Sequence, residues 1–193
     1  MVVRYLAPAA VTALLLSTTG GLGQAMAQQP AAQVSQAAAS DSSFLQMAGS
    51  LGLLQVKLGK LAEEKGTSPA VRDFGKRMVA DYSKANEEIA AAAKGSAYPA
   101  PVILRQHAQL YERFVRMGKG SFDKKYMAQM VSDHGDAARL FQAEAEGGRV
   151  ISLKALAGKL LPTVQQHSML ASQTAGSVGA DVTATAQGGR QGS

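Results

Sequence analysis

Cysteine is absent from all 193 residues, which excludes a disulfide, a thiolate nucleophile and any cysteine-held metal. No segment alternates apolar and polar residues with the period of two that a half-buried strand needs, so the chain is expected to be all-α. There is no P-loop, no His-Glu-x-x-His helix and no Ser–His–Asp set on a strand–turn–helix frame, and no catalytic constellation emerges. Aromatic residues are only 5% of the chain and do not interleave with the basic ones, which argues against nucleic acid as a partner. After residue 27 no apolar run approaches the roughly 20 residues of a bilayer span.

What is present begins with MVVRYLAPAAVTALLLSTTGGLGQAMAQQP. Arg4, an apolar stretch from Leu6 to Leu16 and small residues ending in Ala25-Met26-Ala27 are the order of a secretory signal peptide, predicted to be cut after Ala27. The mature chain would keep a net charge of +5 of the formal +6, since Arg4 alone is lost. A soluble periplasmic protein is expected, free or associated with the outer membrane. Residues 28–40 (QQPAAQVSQAAAS) and the Gly-, Ala-, Thr- and Gln-rich residues 175–193 bury too little apolar surface to offset ordering, and read as a disordered spacer and tail. The folded domain is expected over 41–174.

Within it, apolar stripes at helical spacing predict four long helices. The first starts with Asp41 or Ser42 as N-cap and runs to Lys65, with Phe44, Ala48, Leu51, Gln55, Leu58 and Ala62 on one face. The second opens at Ser68-Pro69 and carries Val71, Phe74, Met78, Tyr82, Ala85, Ile89 and Ala92 until Gly95 stops it. After the break at Tyr98-Pro99-Ala100-Pro101, a shorter helix is predicted over Val102–Met117. The third long helix runs from Ser121 to Gly147-Gly148 with Phe122, Tyr126, Met130, His134, Ala137 and Phe141 inward. The fourth, from Ser152, presents Leu153, Leu156, Leu160, Val164, His167 and Leu170, with a kink expected at Pro162. Short loops make the first pair and the last pair antiparallel. A connecting helix of about 16 residues, roughly 24 Å long, returns the chain so that the second and third run parallel. Met78-Val79-Ala80-Asp81-Tyr82 and Met130-Val131-Ser132-Asp133-His134 would then lie at one height. Gly52 and Gly59, seven apart on the first helix, suggest a close neighbour.

Each long helix has one polar residue inside its apolar stripe: Gln55, Tyr82, His134 and His167. Counted along the helices, the four fall within about one turn of each other, a polar core layer. An amide, a phenol and two imidazoles can close hydrogen bonds among themselves, directly or through water. In the alternative, His134 and His167, with Asp133 or Asp81, hold a single transition-metal ion such as Zn, Cu, Ni or Fe. No other cofactor is predicted. The two histidines also offer a pH-sensing role, and His107 is expected at the surface. Arg105, Arg113, Arg116, Lys119, Lys124 and Lys125, against only Glu112 and Asp123, form either a solvated face or a surface for anionic envelope material.

The stretches LLQVKLGKLAEEKGTSPAVRDFGKRMVADYSKANEEI, FDKKYMAQMVSDHGDAARLF and LPTVQQHSML resemble the secreted bacterial proteins carrying domain of unknown function 4142, often labelled predicted outer-membrane proteins. The resemblance covers Phe44 to Leu170. It implies a ferritin-like antiparallel four-helix bundle with one helical crossover connection. The family pattern looks like Glu-Val-Glu-Leu-Gly in the first helix and Asp-His in the second, where this chain has Gln55-Val56-Lys57-Leu58-Gly59 and Asp81-Tyr82. His134 and His167 match the family positions. Di-iron bundles use Glu-x-x-His on two helices, whereas Val131 and Val164 stand three before these histidines. The chain is therefore read as an exported, non-catalytic envelope or stress-related component whose metal site is altered or lost. The alternative is a metal-binding or redox-active bundle using His134 and His167.

Overall fold

The structure, a computed structural model, describes residues 22–182. Residues 1–21 of the expected signal peptide and 183–193 of the expected tail lie outside the described residues. Two compact units divide at Ser35 and Gln36. The first supplies the helical backbone that begins at Leu22, and the second holds the elements discussed below. The described residues form five helices and no strand: α1 Leu22–Lys65, α2 Pro69–Gly95, α3 Arg105–Val115, α4 Lys119–Gly147 and α5 Ile151–Ser177.

Two boundaries differ from expectation for identifiable reasons. Helix α1 does not start at Asp41 or Ser42, and residues 28–40, read as a spacer, have helical backbone. Their Ala- and Gln-rich composition favours a helix even where it offers little to bury. Asp41 instead caps a different helix, its carboxylate accepting the Arg149 and Val150 backbone N–H groups, both at 3.1 Å, at the N-terminus of α5. Helix α3 is 11 residues long and not about 16. Pro99 and Pro101 favour extended backbone before them, and Ser50 Oγ accepts the Leu104 N–H at 2.7 Å, fixing the helix start at Arg105. At the other end of the domain, α5 continues through Pro162 to Ser177 and buries Ala175.

The buried faces are largely those of the predicted stripes. Phe44, Leu58, Phe74, Met78, Phe122, Met130 and Leu153 are all at most 2% exposed and form one core. Helices α1 and α2 pass so closely that a Cβ on Gly59 would lie 2.7 Å from the Gly75 carbonyl oxygen. A Cβ on Gly52 would meet Asn86, so the two run antiparallel. Helix α4 is antiparallel to α5, with His134 beside His167 and Lys154 donating to the Glu146 carbonyl. Helices α2 and α4 run parallel: Phe74 meets Tyr126 and, eight residues on along both, Tyr82 meets His134. The two similar five-residue segments therefore share a height.

Helix α3 lies along α1 and brings the chain back toward the α1–α2 turn. Its start is held at Ser50, and its end at Lys65, whose Nζ donates to the carbonyls of Phe114, Val115 and Met117. Asp123, in the first turns of α4, closes the same end of the bundle. Its carboxylate accepts the Thr67 hydroxyl at 2.6 Å and the Ser68 backbone N–H at 2.7 Å. Ser68 occupies the N-cap position of α2 but makes no side-chain cap bond, and its own backbone N–H is taken by Asp123.

Candidate functional site: a polar layer in the bundle core

Mid-length in the bundle, Tyr82 from α2, His134 from α4 and His167 from α5 meet as a triangle of rings. The centroids are 5.6 Å apart for the two imidazoles, 5.8 Å for Tyr82–His134 and 5.5 Å for Tyr82–His167. All three residues are buried, and Gln55 of α1 is fully buried as well. Gln55 joins through the neighbour of His134: its Nε2 donates to Asp133 Oδ2 at 3.1 Å, and Gln129 donates to the other carboxylate oxygen at 2.7 Å. Among the described residues, no hydrogen bond links Gln55, Tyr82, His134 and His167 to one another. Gln55 and His167 reach outward to aspartates, and His134 turns back to its own helix.

Those outward bonds set the tautomers. His134 Nδ1 lies 2.8 Å from the Met130 carbonyl oxygen, so Nδ1 carries the proton and Nε2 keeps its lone pair. His167 Nε2 lies 2.9 Å from Asp81 Oδ2 and donates to it, which leaves the lone pair on Nδ1. His134 Nε2, His167 Nδ1, Gln55 Oε1 and the hydroxyls of Tyr82 and Tyr126 are buried with no hydrogen-bond partner among the described residues. The Asp before Tyr82 and the Asp before His134 thus play matched parts. Asp81 reaches across to α5 and Asp133 across to α1.

The layer is held in its neutral forms. Burial pushes His134 down to about 4, and the neighbouring His167 adds to the effect. Burial also lowers His167, against the pull of the Asp81 carboxylate. The phenols of Tyr82 and Tyr126 are raised, first by burial and then by Asp133. Asp133 itself is raised to about 6 by burial, although its bonds from Gln129 and Gln55 favour the carboxylate. At neutral pH the interior therefore offers acceptor lone pairs and phenolic donors with no cation. A cleft of about 20 Å³ lined by Asp81, Tyr82, Ile89, Phe141, Val164 and His167 has room for about one water.

A di-iron centre does not fit these residues. It would need carboxylates aimed inward from several helices. Among the described residues no three His, Asp or Glu side chains gather as a metal-holding group. Asp81 and Asp133 are already committed to His167 and to the two glutamines. Two imidazole nitrogens remain as the only strong donors of the layer.

Other expected positions resolve differently. His107 is half-buried and not a surface residue, its Nδ1 2.7 Å from Ser50 Oγ at the start of α3. Its imidazole is lowered, chiefly by burial. Arg105, Arg113, Arg116, Lys119, Lys124 and Lys125 are all exposed, and Arg116 pairs with Glu112 at 3.7 Å. Tyr126 and Gln129 were not singled out by the sequence. Tyr126 lies in the predicted stripe, so its phenol was the available signal.

The family model described as Domain of unknown function (DUF4142) matches residues 25–174 of the chain. No curated protein and no solved structure matches it.

Proposed function

The chain belongs to the family of domain of unknown function 4142, and from that membership we propose that it is an exported, ferritin-like helical bundle serving a non-catalytic role in the bacterial envelope. The fold reading is supported by the helix directions: α1 is antiparallel to α2, α2 parallel to α4 and α4 antiparallel to α5, with α3 as the returning crossover. Export is supported by the leader-like residues 1–27.

The observation that carries the role is the donor set of the central layer. Its carboxylates are tied to partners, its imidazoles are neutral, and no group of three ligands forms among the described residues. Such a layer acts through packing and register, with ordered water serving its unpaired atoms. A second reading is favoured by one feature. Each histidine has its outer nitrogen fixed by a carboxylate or carbonyl and its inner lone pair unpartnered, the arrangement that orients imidazoles toward a metal. One Zn, Cu, Ni or Fe ion on His134 and His167 would follow.

Elemental mass spectrometry decides between them. The chain is recovered from a periplasmic extract, with an N-terminus at Gln28, without chelators or a His tag. Metal far below one ion per chain is expected, even after reconstitution. Near-stoichiometric metal that disappears in a His134→Gln/His167→Gln double variant overturns the leading reading in favour of the second.

A further inference from the structure

We propose that the groove between α3 and the start of α4 seats one anionic lipid of a membrane leaflet, with its phosphate between Arg113, Lys124 and Lys125 and an acyl chain on the apolar floor. The setting rests on the envelope reading above, and the chemistry rests on the groove. Its volume is about 550 Å³, in the range of small-molecule sites. Leu110, Phe114, Met117 and Ala128 supply apolar lining.

The cations come from two helices separated in sequence, Arg113 from α3 and Lys124 and Lys125 from α4. All three are exposed, and none forms an ion pair among the described residues. Arg116 is paired with Glu112, and Arg105 lines a second hollow on α3, with Ala108 and Gln109, that Arg113 also borders. Asp181 is the one carboxylate among the residues lining the groove.

Three cations against one carboxylate select an anion, and arginine and lysine together suit a phosphate. A free phosphate or a polyanion would leave the apolar floor uncovered, whereas a lipid covers both. No helix among the described residues is long and apolar enough to cross a membrane. Basic side chains near a membrane surface are drawn to anionic leaflets.

The test is co-sedimentation of the mature chain with vesicles of phosphatidylcholine alone and of phosphatidylcholine with phosphatidylglycerol, at low and raised salt. The expected result is binding to the anionic vesicles only. An Arg113→Gln/Lys124→Gln/Lys125→Gln variant should lose about tenfold or more in affinity. A Lys60→Gln/Lys84→Gln/Lys94→Gln variant, with the same charge change on α1 and α2, should bind like the parent. Ala128→Trp, which fills the groove without changing charge, should weaken binding severalfold. Equal loss in the two charge variants would reduce the effect to net charge and overturn the proposal. An unaffected Ala128→Trp variant would leave a phosphate site without a lipid groove, which also overturns it. So would absence of sedimentation with binding of monomeric lysophospholipid in calorimetry, the behaviour of a carrier. Export and metal content are measured independently, so failure here is distinguishable from failure of the envelope reading.

Discussion

Ala97 ends α2 in the left-handed region at φ 58°, with the Tyr98 N–H bonded to the Ala93 carbonyl oxygen at 3.0 Å. A helix end of this geometry prefers glycine, because an L side chain there costs roughly 1 kcal/mol. Gly95, the residue that marks the stop in the sequence, is still helical. Ala97→Gly is expected to raise stability by about 0.5–1 kcal/mol, read from the urea midpoint. At the centre, the His134 imidazole is expected to titrate near 4, well below its ordinary 6.5, because burial disfavours its cation. Imidazole chemical shifts followed through an acid titration measure this directly. A midpoint close to 6.5 would mean that water reaches the ring and would remove the neutral-layer argument. Which atoms of the layer are left unpaired was not legible in the sequence. The stripe places Gln55, Tyr82, His134 and His167 inward, but rotamers decide the rest. His134 turned one nitrogen to the Met130 carbonyl of its own helix, and Gln55 chose the aspartate beside His134 over the imidazole itself.

Between elements, Gly59 of α1 lies against Gly75 of α2, where an added Cβ meets backbone that cannot move aside without separating the two helices. Gly59→Ala is expected to cost about 1–3 kcal/mol in thermal or urea unfolding, as overpacking does. Gly135, in the middle of α4, is the internal control: a Cβ there meets nothing nearer than Arg139 Nη1 at 3.9 Å. Gly135→Ala should stabilise by up to about 1 kcal/mol, the helix-propensity gain alone. If both variants behaved alike, the close crossing would not exist. The stripes and the close approach at Gly59 could be read from the sequence because a periodic apolar face and a repeated glycine are local signals. The caps could not. The carboxylate that holds the backbone leading into α5 comes from Asp41, 108 residues before Arg149, and the one that holds the backbone leading into α2 comes from Asp123, 56 residues after Thr67. Local grammar assigned those jobs to residues next to each helix, and Ser68 makes no side-chain cap bond. The length of α3 escaped for the same reason, since its first turn is set by Ser50 on another helix.

For the whole molecule, the pH dependence of stability draws on two places, the central layer and the end where α1 meets the α4–α5 turn. Glu144 is raised from 4.5 to about 7, first by burial, then by the Asp41 charge and their mutual hydrogen bond. Asp133 is raised from 3.8 to about 6, first by burial. A carboxyl whose folded pKa exceeds its unfolded value binds its proton more tightly in the folded state. Its contribution is complete below the unfolded value and is lost as pH rises through the folded one. The histidines have the opposite sign. His134, lowered from 6.5 to about 4, contributes fully above 6.5 and loses that contribution as pH falls through about 4, and the lowered His167 and His107 act in the same direction. Above the ordinary histidine range only the carboxyls change, so stability should increase as pH falls from roughly 8 to roughly 6.5. Below that, gains at Glu144 and Asp133 are opposed by the histidines, and the curve should flatten before acid unfolding. Urea midpoints across this range test the shape, and the two sites separate by substitution. Glu144→Gln, neutral at every pH, should abolish most of the rise between roughly 8 and 6.5, whereas Asp133→Asn should act mainly at lower pH, around its own midpoint. A parent protein whose stability falls steadily over the upper interval would show that Glu144 is not raised in the folded state. The end of the bundle would then be held by the Asp41 cap alone.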